Sequence, residues 1–291
     1  MKLTQRFYHL AAILTVTVWG LTFIATKVLI AHGLTPQEIF FYRFLIAYLG
    51  IWVISPRRLF AGSVRDELWL VAGGVLGGSL YFFTENTALG ITQASNVSFI
   101  ICTAPLLTTV LSLLFYKGER ATRGLIYGSL LALLGVGLVV FNGSVMLKLS
   151  PAGDLLTLAA ALSWAFYSLV IRQMGGRYPT VFITRKIFFY GVLTILPAFW
   201  LHPLQPAFAV LLQPAVLSNL LFLAVLASLI CYVMWNVVLK QLGTMRASNY
   251  IYLNPLVTMV ASVIVLHEQI TWMMLAGAAC IVGGVWLAER K

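Results

Sequence analysis

Glu85 stands in the stretch LYFFTENTALG, residues 80–90, inside an apolar segment that begins at Leu68. A charge at the centre of a membrane helix costs roughly 2.5–3.5 kcal/mol, so such residues are rare and face an interior or a cavity. Lys27 and Arg43 are the other charges placed this way. At about 1.5 Å per residue, Lys27, Arg43 and Glu85 lie roughly 5, 9 and 8 Å from the outer ends of their segments, a common depth. Gly74, Gly78, Tyr81, Glu85 and Ala88 fall on one helical stripe of mostly small residues, as do Arg43, Ala47 and Gly50, and such stripes suit close helix packing. The spacing predicts that Glu85 pairs with Arg43 or Lys27 in an electropositive cluster. Three chemistries fit the carboxylate: an ion-pair strut between helices, a proton-coupling group balanced between desolvation and basic neighbours, or a direct partner for a substrate ammonium.

Other chemistries find no residues to carry them. No G-x-x-x-x-G-K-[ST], G-x-S-x-G or H-E-x-x-H occurs, which argues against an ATPase and the common hydrolases. His9, His32, His202 and His267 sit at the terminus or in loops without metal-ligand spacing. Cys102, Cys231 and Cys280 lie in apolar segments with no Cys-x-x-Cys. No metal, cofactor or catalytic residue is expected, and an intramembrane enzyme, which would need a second group beside Glu85, is the weaker alternative, as is a channel or structural protein.

The elements that must position these residues are membrane spans. The chain of 291 residues is 61% hydrophobic and 9% charged, with mean hydropathy +0.96, against about 45–50% apolar and 25% charged for a soluble domain. A span needs about 20 mostly apolar residues. Ten segments qualify: 8–30, 37–54, 68–90, 94–116, 123–141, 153–172, 182–200, 214–239, 246–266 and 270–288. The first reads as a span and not a cleaved leader, because its apolar run is long and lacks a small-residue cleavage site. With a cytoplasmic N-terminus, sixteen of the nineteen basic residues fall at the cytoplasmic side; the exceptions are Lys148, in an outer loop, and Lys27 and Arg43. The positive-inside rule therefore places both termini in the cytoplasm and explains the net charge of +11 without nucleic acid. The fold expected is an all-α membrane protein of ten transmembrane helices.

Residues 8–142 resemble residues 152–289. Trp19 matches Trp164, Asn86 matches Asn236, and the fourth and ninth segments both open Ala-Ser-Asn and carry a mid-span proline, Pro105 and Pro255. Glu119, Gly128 and Gly135 match Glu268, Gly277 and Gly284. Five spans per unit is an odd number, so the second unit enters the membrane inverted, the construction used by many secondary transporters with a midplane site between repeats. The prolines predict helix breaks that must face a protein interior or cavity. Ser95, Ser98, Cys102, Pro105, Thr109 and Ser112 make one polar stripe on the fourth span; Ser248, Tyr252, Pro255, Met259 and Ser262 mirror it on the ninth. Hydroxyls bonding back to their own helix are the plainer account of any single serine. Gly124, Gly128 and Gly135 with their mates in the tenth span could pack within the chain or across a homodimer.

The ordered set WGLTFIATK, FFYRFLIAY, ALGITQASN and the pair APLLTTVLSLLFYKGE and NPLVTMVASVIVLHE, each of the pair followed by a glycine-rich span, resembles the EamA-type branch of the drug/metabolite transporter superfamily over nearly the whole chain. One extra residue separates Pro105 from Glu119 compared with Pro255 and Glu268. The resemblance implies a carrier in a bacterial inner membrane, embedded in the lipid bilayer, moving small organic solutes by alternating access through a cavity lined by spans 1, 3, 4, 6, 8 and 9. It implies export of amino acids or related metabolites, with multidrug efflux of hydrophobic or cationic compounds as the alternative. On those spans the expected cavity residues are Trp19, Phe23, Tyr81, Glu85, Asn86, Ser98, Cys102, Trp164, Tyr167, Tyr232, Trp235 and Tyr252. Glu85 aligns with Trp235, and Arg185 or Lys186 with Arg43. A carboxylate in one half facing an indole in the other favours an amphipathic organic solute over an inorganic ion. Trp52, Trp200 and Trp272, near span ends, are assigned to interfacial belts.

Overall fold

The computed structural model describes residues 3–55, 59–92, 94–117, 120–141, 150–201, 203–204, 208–266 and 271–289. Lys2, Arg57, Arg58, Glu119, Lys148, His202, His267, Glu268, Arg290 and Lys291 lie outside them, as do the side chains of Ser95 and Ser262. All regular structure among the described residues is helical. The helices are α1 (Leu3–Ala31), α2 (Pro36–Trp52), α3 (Val64–Gly74), α4 (Leu80–Ile91), α5 (Ala94–Ile101), α6 (Ala104–Phe115), α7 (Arg123–Phe141), α8 (Pro151–Gly175), α9 (Thr180–Ile195), α10 (Ala198–Leu201), α11 (Phe208–Leu211), α12 (Pro214–Leu221), α13 (Cys231–Leu242), α14 (Thr244–Asn249), α15 (Asn254–Leu266) and α16 (Trp272–Glu289). A π-helical stretch, Val75–Ser79, joins α3 to α4; another, Phe222–Ile230, joins α12 to α13; a 3₁₀ turn, Tyr250–Leu253, joins α14 to α15. Seven helical stretches among the described residues are long and apolar enough to cross a membrane. Trp272–Ala288 is apolar but shorter, and α2 has 17 residues.

Local chemistry sets these boundaries. α1 ends where Gly33 takes φ +92°, letting the Leu34 N–H reach back to the Leu29 carbonyl at 3.2 Å, a helix stop that glycine enters without steric cost. α2 begins with a capping box: Thr35 Oγ1 accepts from the Glu38 N–H, and Glu38 Oε2 accepts from the Thr35 N–H, with Pro36 in the first turn. Pro105 and Pro255 sit in the first turns of α6 and α15, just beyond the breaks in their rods. A proline at 255 offers no N–H to the carbonyl four residues back, that of Ile251. The Cys102 thiol lies 3.9 Å from that oxygen, so the two broken rods meet at their breaks.

The packing recurs under exchange of the first half of the chain with the second. The α3–α4 rod packs on α8 and α9, while the α12–α13 rod packs on α1 and α2; α5 and α6 pack on α8, while α15 and its 3₁₀ turn pack on α1. α7 and α16, one from each half, pack on each other. A Cβ on Gly128 would sit 2.5 Å from the Gly284 carbonyl oxygen, and one on Gly135 2.6 Å from that of Gly277. Gly128, Gly135, Gly277 and Gly284 therefore serve the contact of α7 with α16 within the chain. His9 belongs to α1, with a ring nitrogen 2.5 Å from the Tyr250 hydroxyl. Trp200 and Trp272 are exposed. Trp52, at the end of α2, is half-buried and lies under the Arg185 guanidinium at 4.5 Å.

One end of the bundle is tied by charge. Asp66 and Glu67 open α3, and Asp66 accepts from Arg177 Nη1 at 2.6 Å and from the Tyr178 hydroxyl at 2.8 Å. Glu67 pairs with Lys186, accepts from Tyr190, and accepts from the Ala61 N–H at 2.6 Å. Tyr178 in turn accepts from the Gly62 N–H at 2.8 Å. Lys186 donates to the Leu59 carbonyl at 3.1 Å and Arg185 donates to that of Ser55. Arg185 and Lys186, the sequence counterparts of Arg43, thus join the halves at this end.

Candidate functional site

A cavity between the halves is lined by Trp19, Thr22 and Phe23 of α1, Arg43 of α2, Tyr81, Phe82 and Glu85 of α4, Ile101 of α5, Trp164 of α8, Tyr232 of α13, Ile251 of the 3₁₀ turn and Asn254 of α15. Its free volume is about 40 Å³, space for a few waters and well below the roughly 300–1,000 Å³ of a small-molecule pocket. In this conformation the walls are closed on each other. Aromatic edges form them: Trp19 meets Trp164 at 5.3 Å and 88°, and Trp164 meets Tyr232 at 5.9 Å and 90°. Edge-to-face pairs of this kind contribute about 0.5–1.5 kcal/mol each beyond burial.

The π-helical stretches account for several polar contacts. In a π turn the i→i+5 register displaces carbonyls from the ordinary helical ladder. Trp19 Nε1 donates to the Ala227 carbonyl at 3.0 Å. In the other half the Tyr232 hydroxyl donates to the Gly77 carbonyl at 2.6 Å, and Ser163 Oγ donates to that of Leu76 at 2.7 Å. Gly77 and Ala227 are equivalent by the repeat, yet Tyr232, and not Trp164, serves Gly77. Trp164 Nε1 consequently has no hydrogen-bond partner among the described residues, and neither has Asn254 Oδ1. Both residues line the cavity, and buried polar atoms are ordinarily satisfied.

The charges are arranged differently from the expected pair. Arg43 is 2% exposed, donates from Nε to Ser228 Oγ at 2.9 Å, and lies over the Phe82 ring at 4.2 Å. Glu85 is 6% exposed and accepts from the Tyr81 hydroxyl at 2.8 Å. The two are within Coulombic reach, but no ion pair closes between them among the described residues. Lys27 is exposed and extends to the Thr92 carbonyl at 3.5 Å, at the C-terminal end of α4. Its long stem allows the ammonium to leave the interior for a partly negative helix end. The expected three-charge cluster is therefore an Arg43 and Glu85 site without Lys27.

Of the other expected cavity residues, Trp19, Phe23, Tyr81, Glu85, Trp164 and Tyr232 line it. Asn86 does not: it is fully buried and donates to the Pro36 carbonyl at 3.3 Å. Tyr167 lies against Gly77 and donates to Asn236 Oδ1 at 2.7 Å, and Asn236 donates to Thr184 at 2.9 Å. Trp235 is fully buried behind Trp19, ring centroids 5.1 Å apart. Ser98, Cys102 and Tyr252 are buried away from the cavity, Cys102 at the crossing of the breaks. Helix rotation explains these departures, since span membership fixes depth and not azimuth. Thr22, Phe82, Ile101, Ile251 and Asn254 were not anticipated. One signal was present: Phe82 is the repeat equivalent of Tyr232, an expected cavity residue, while Ile101 and Ile251 are equivalents only of each other.

The EamA-like transporter family matches residues 6–141 and again 151–289. An uncharacterized transporter of Archaeoglobus fulgidus is 30% identical, with 97% of each chain covered. A probable amino-acid metabolite efflux pump of Salmonella typhimurium is 28% identical, over 95% of this chain and 92% of the other. A probable terminal-alkyne amino-acid exporter of Streptantibioticus cattleyicolor is 26% identical, over 100% and 95%. A crystal structure of a protein with 20% sequence identity superposes with TM-score 0.74 over 98% of this chain and 97% of that one, a likeness of fold.

Proposed function

The chain belongs to the EamA-like transporter family, and from that premise we propose that it is a secondary transporter exporting amino acids or closely related zwitterionic metabolites by alternating access. One observation carries the substrate reading: a single buried cavity offers the Arg43 guanidinium, the Glu85 carboxylate, an unpartnered donor on Trp164 and an unpartnered acceptor on Asn254, within apolar aromatic walls. A zwitterion with an apolar body matches that set, its carboxylate at Arg43 and Trp164 and its ammonium at Glu85. An inorganic ion leaves the aromatic walls unused, and a lipophilic cation leaves Arg43 opposed. The names of the amino-acid relatives point the same way.

We read the architecture as ten crossings in two inverted units, 8–142 and 152–289, with both termini cytoplasmic in a bacterial inner membrane. The exchange symmetry of the packing, the π-helical stretches near positions 77 and 227, and the breaks at Pro105 and Pro255 support it. Glu85 is assigned proton coupling as well, exchanging a proton for the substrate ammonium. The screen that tests the substrate reading follows thermal unfolding of the purified protein with amino acids, their deaminated and decarboxylated analogues, and lipophilic cations, since a ligand of the folded state raises apparent stability. Intact amino acids should stabilise it and analogues lacking either charged group should not. Stabilisation by lipophilic cations alone would replace this reading with multidrug efflux.

A further inference from the structure

The two halves of the chain use the same backbone feature differently. Gly77 and Ala227, one in each π-helical stretch, are equivalent by the repeat, as are Trp19 and Trp164, and Phe82 and Tyr232. On one side Trp19 Nε1 donates to the Ala227 carbonyl at 3.0 Å. The mirror contact would run from Trp164 to the Gly77 carbonyl, but there the Tyr232 hydroxyl donates instead, at 2.6 Å. The counterpart of Tyr232 is Phe82, whose ring lies 4.2 Å beneath the Arg43 guanidinium and carries no hydroxyl to compete with Trp19. The tryptophan donates where the hydroxyl is missing and goes without a partner where it is present.

Trp164 stands beside the carbonyl it does not reach. Ser163, the residue before it, donates to the Leu76 carbonyl at 2.7 Å, the residue before Gly77. The Trp164 ring is 4.9 Å from that of Tyr167, and a Cβ on Gly77 would run into the Tyr167 ring. Trp164 also meets Tyr232 edge to face at 5.9 Å. A carbonyl has two lone pairs, yet the Trp164 N–H goes unpartnered among the described residues while Tyr232 is bound. Trp164 is only 5% exposed, and an unmet buried donor is destabilising. The bond that Trp19 makes would relieve it, were the Gly77 carbonyl not taken.

We propose that Tyr232 is a positioning residue for the solute: by occupying the Gly77 carbonyl it keeps the Trp164 N–H free, as a second donor beside Arg43, for the carboxylate of the substrate. The inference rests on the zwitterion reading given above. Trp164, Tyr232 and Arg43 all line the solute cavity, so the indole freed by Tyr232 belongs to the wall that a bound solute meets. Without the Tyr232 hydroxyl, the Trp164 indole turns to Gly77 as Trp19 does to Ala227, and the carboxylate keeps Arg43 alone.

The test labels the indole nitrogens of the purified full chain with 15N, which gives 8 tryptophan resonances; Trp19→Phe and Trp164→Phe identify two of them. Without ligand, Tyr232→Phe should move the Trp164 indole proton downfield, toward the hydrogen-bonded Trp19 proton, and slow its exchange with solvent. Affinity for the amino acid that stabilises the protein most should fall about fivefold in Tyr232→Phe, the worth of one neutral hydrogen bond. The same substitution made in Trp164→Phe should leave affinity unchanged, whereas a merely structural hydroxyl weakens binding equally in both backgrounds. A Trp164 resonance that stays in place in folded Tyr232→Phe, or equal losses in the two backgrounds, would overturn the proposal. If Tyr232→Phe does not fold, the wild type decides: bound amino acid should shift the Trp164 proton downfield and the decarboxylated analogue should not, and a Trp164 proton indifferent to bound amino acid overturns the proposal. Failure of every amino acid to bind the wild type would instead remove the zwitterion reading and the solute role with it, leaving the ligand-free spectra to report the contest between Tyr232 and Trp164 by itself.

Discussion

Glu85 keeps a single hydrogen-bond partner among the described residues, the Tyr81 hydroxyl, although Arg43 lines the same cavity. That arrangement disfavours a strut and leaves the carboxylate available to a ligand. Replacing Glu85 by Gln preserves an acceptor for Tyr81, so the thermal midpoint should move by no more than about 2 °C. Binding of an amino acid should weaken roughly 10–100-fold, the worth of a charge-assisted hydrogen bond of about 1.5–3 kcal/mol, and flux driven by a proton gradient should lose that drive. A large fall in the midpoint with unchanged binding would restore the strut. Trp164→Phe keeps the aromatic wall and removes one donor, which should cost about 1 kcal/mol, or roughly fivefold in affinity by titration calorimetry. The sequence made Glu85 and the aromatics legible because charge and indole are conspicuous in an apolar run. Lys27 misled because depth along a helix says nothing of where a long flexible side chain places its charge.

At the level of elements, close approach of α7 and α16 rests on glycines. Gly128→Ala or Gly135→Ala drives a methyl into the opposing backbone, and overpacking of this kind costs about 1–3 kcal/mol. Gly90→Ala, where an added Cβ meets nothing within 4 Å, should leave stability unchanged or raise it by up to about 1 kcal/mol through helix propensity. Thermal unfolding of the three variants side by side checks both. The breaks before Pro105 and Pro255 were legible because proline forbids a ladder bond wherever it stands. The π-helical stretches at Val75–Ser79 and Phe222–Ile230 were not, since no residue type demands them; they follow from tertiary contacts such as Tyr232 to Gly77. Asn86 and Asn236 show the same limit. The repeat paired them correctly, but only the packing reveals that both hold helices together and neither faces the cavity.

For the molecule as a whole, Asp66 and Glu67 join the α3 end to the segment after α8 and to α9, closing one end of the bundle while the solute cavity is collapsed to about 40 Å³. Within the proposed alternating-access cycle these bonds must break when the cavity opens at that end. Asp66→Asn/Glu67→Gln should therefore raise the labelling rate of a cysteine placed at Thr22 from that side by about tenfold, equivalent to about 1.4 kcal/mol of lost closure, in a background free of the three native cysteines. An unchanged rate would assign the network to folding alone. The central claim, that Arg43 and Glu85 together select a zwitterion for transport, is tested most directly by counterflow in proteoliposomes preloaded with the amino acid that stabilises the protein most. Labelled amino acid should exchange saturably, compete with neither its deaminated nor its decarboxylated analogue, and fail to exchange in Glu85→Gln and Arg43→Gln. Exchange at the wild-type rate in both variants, or inhibition by lipophilic cations with no counterflow of any amino acid, would contradict it.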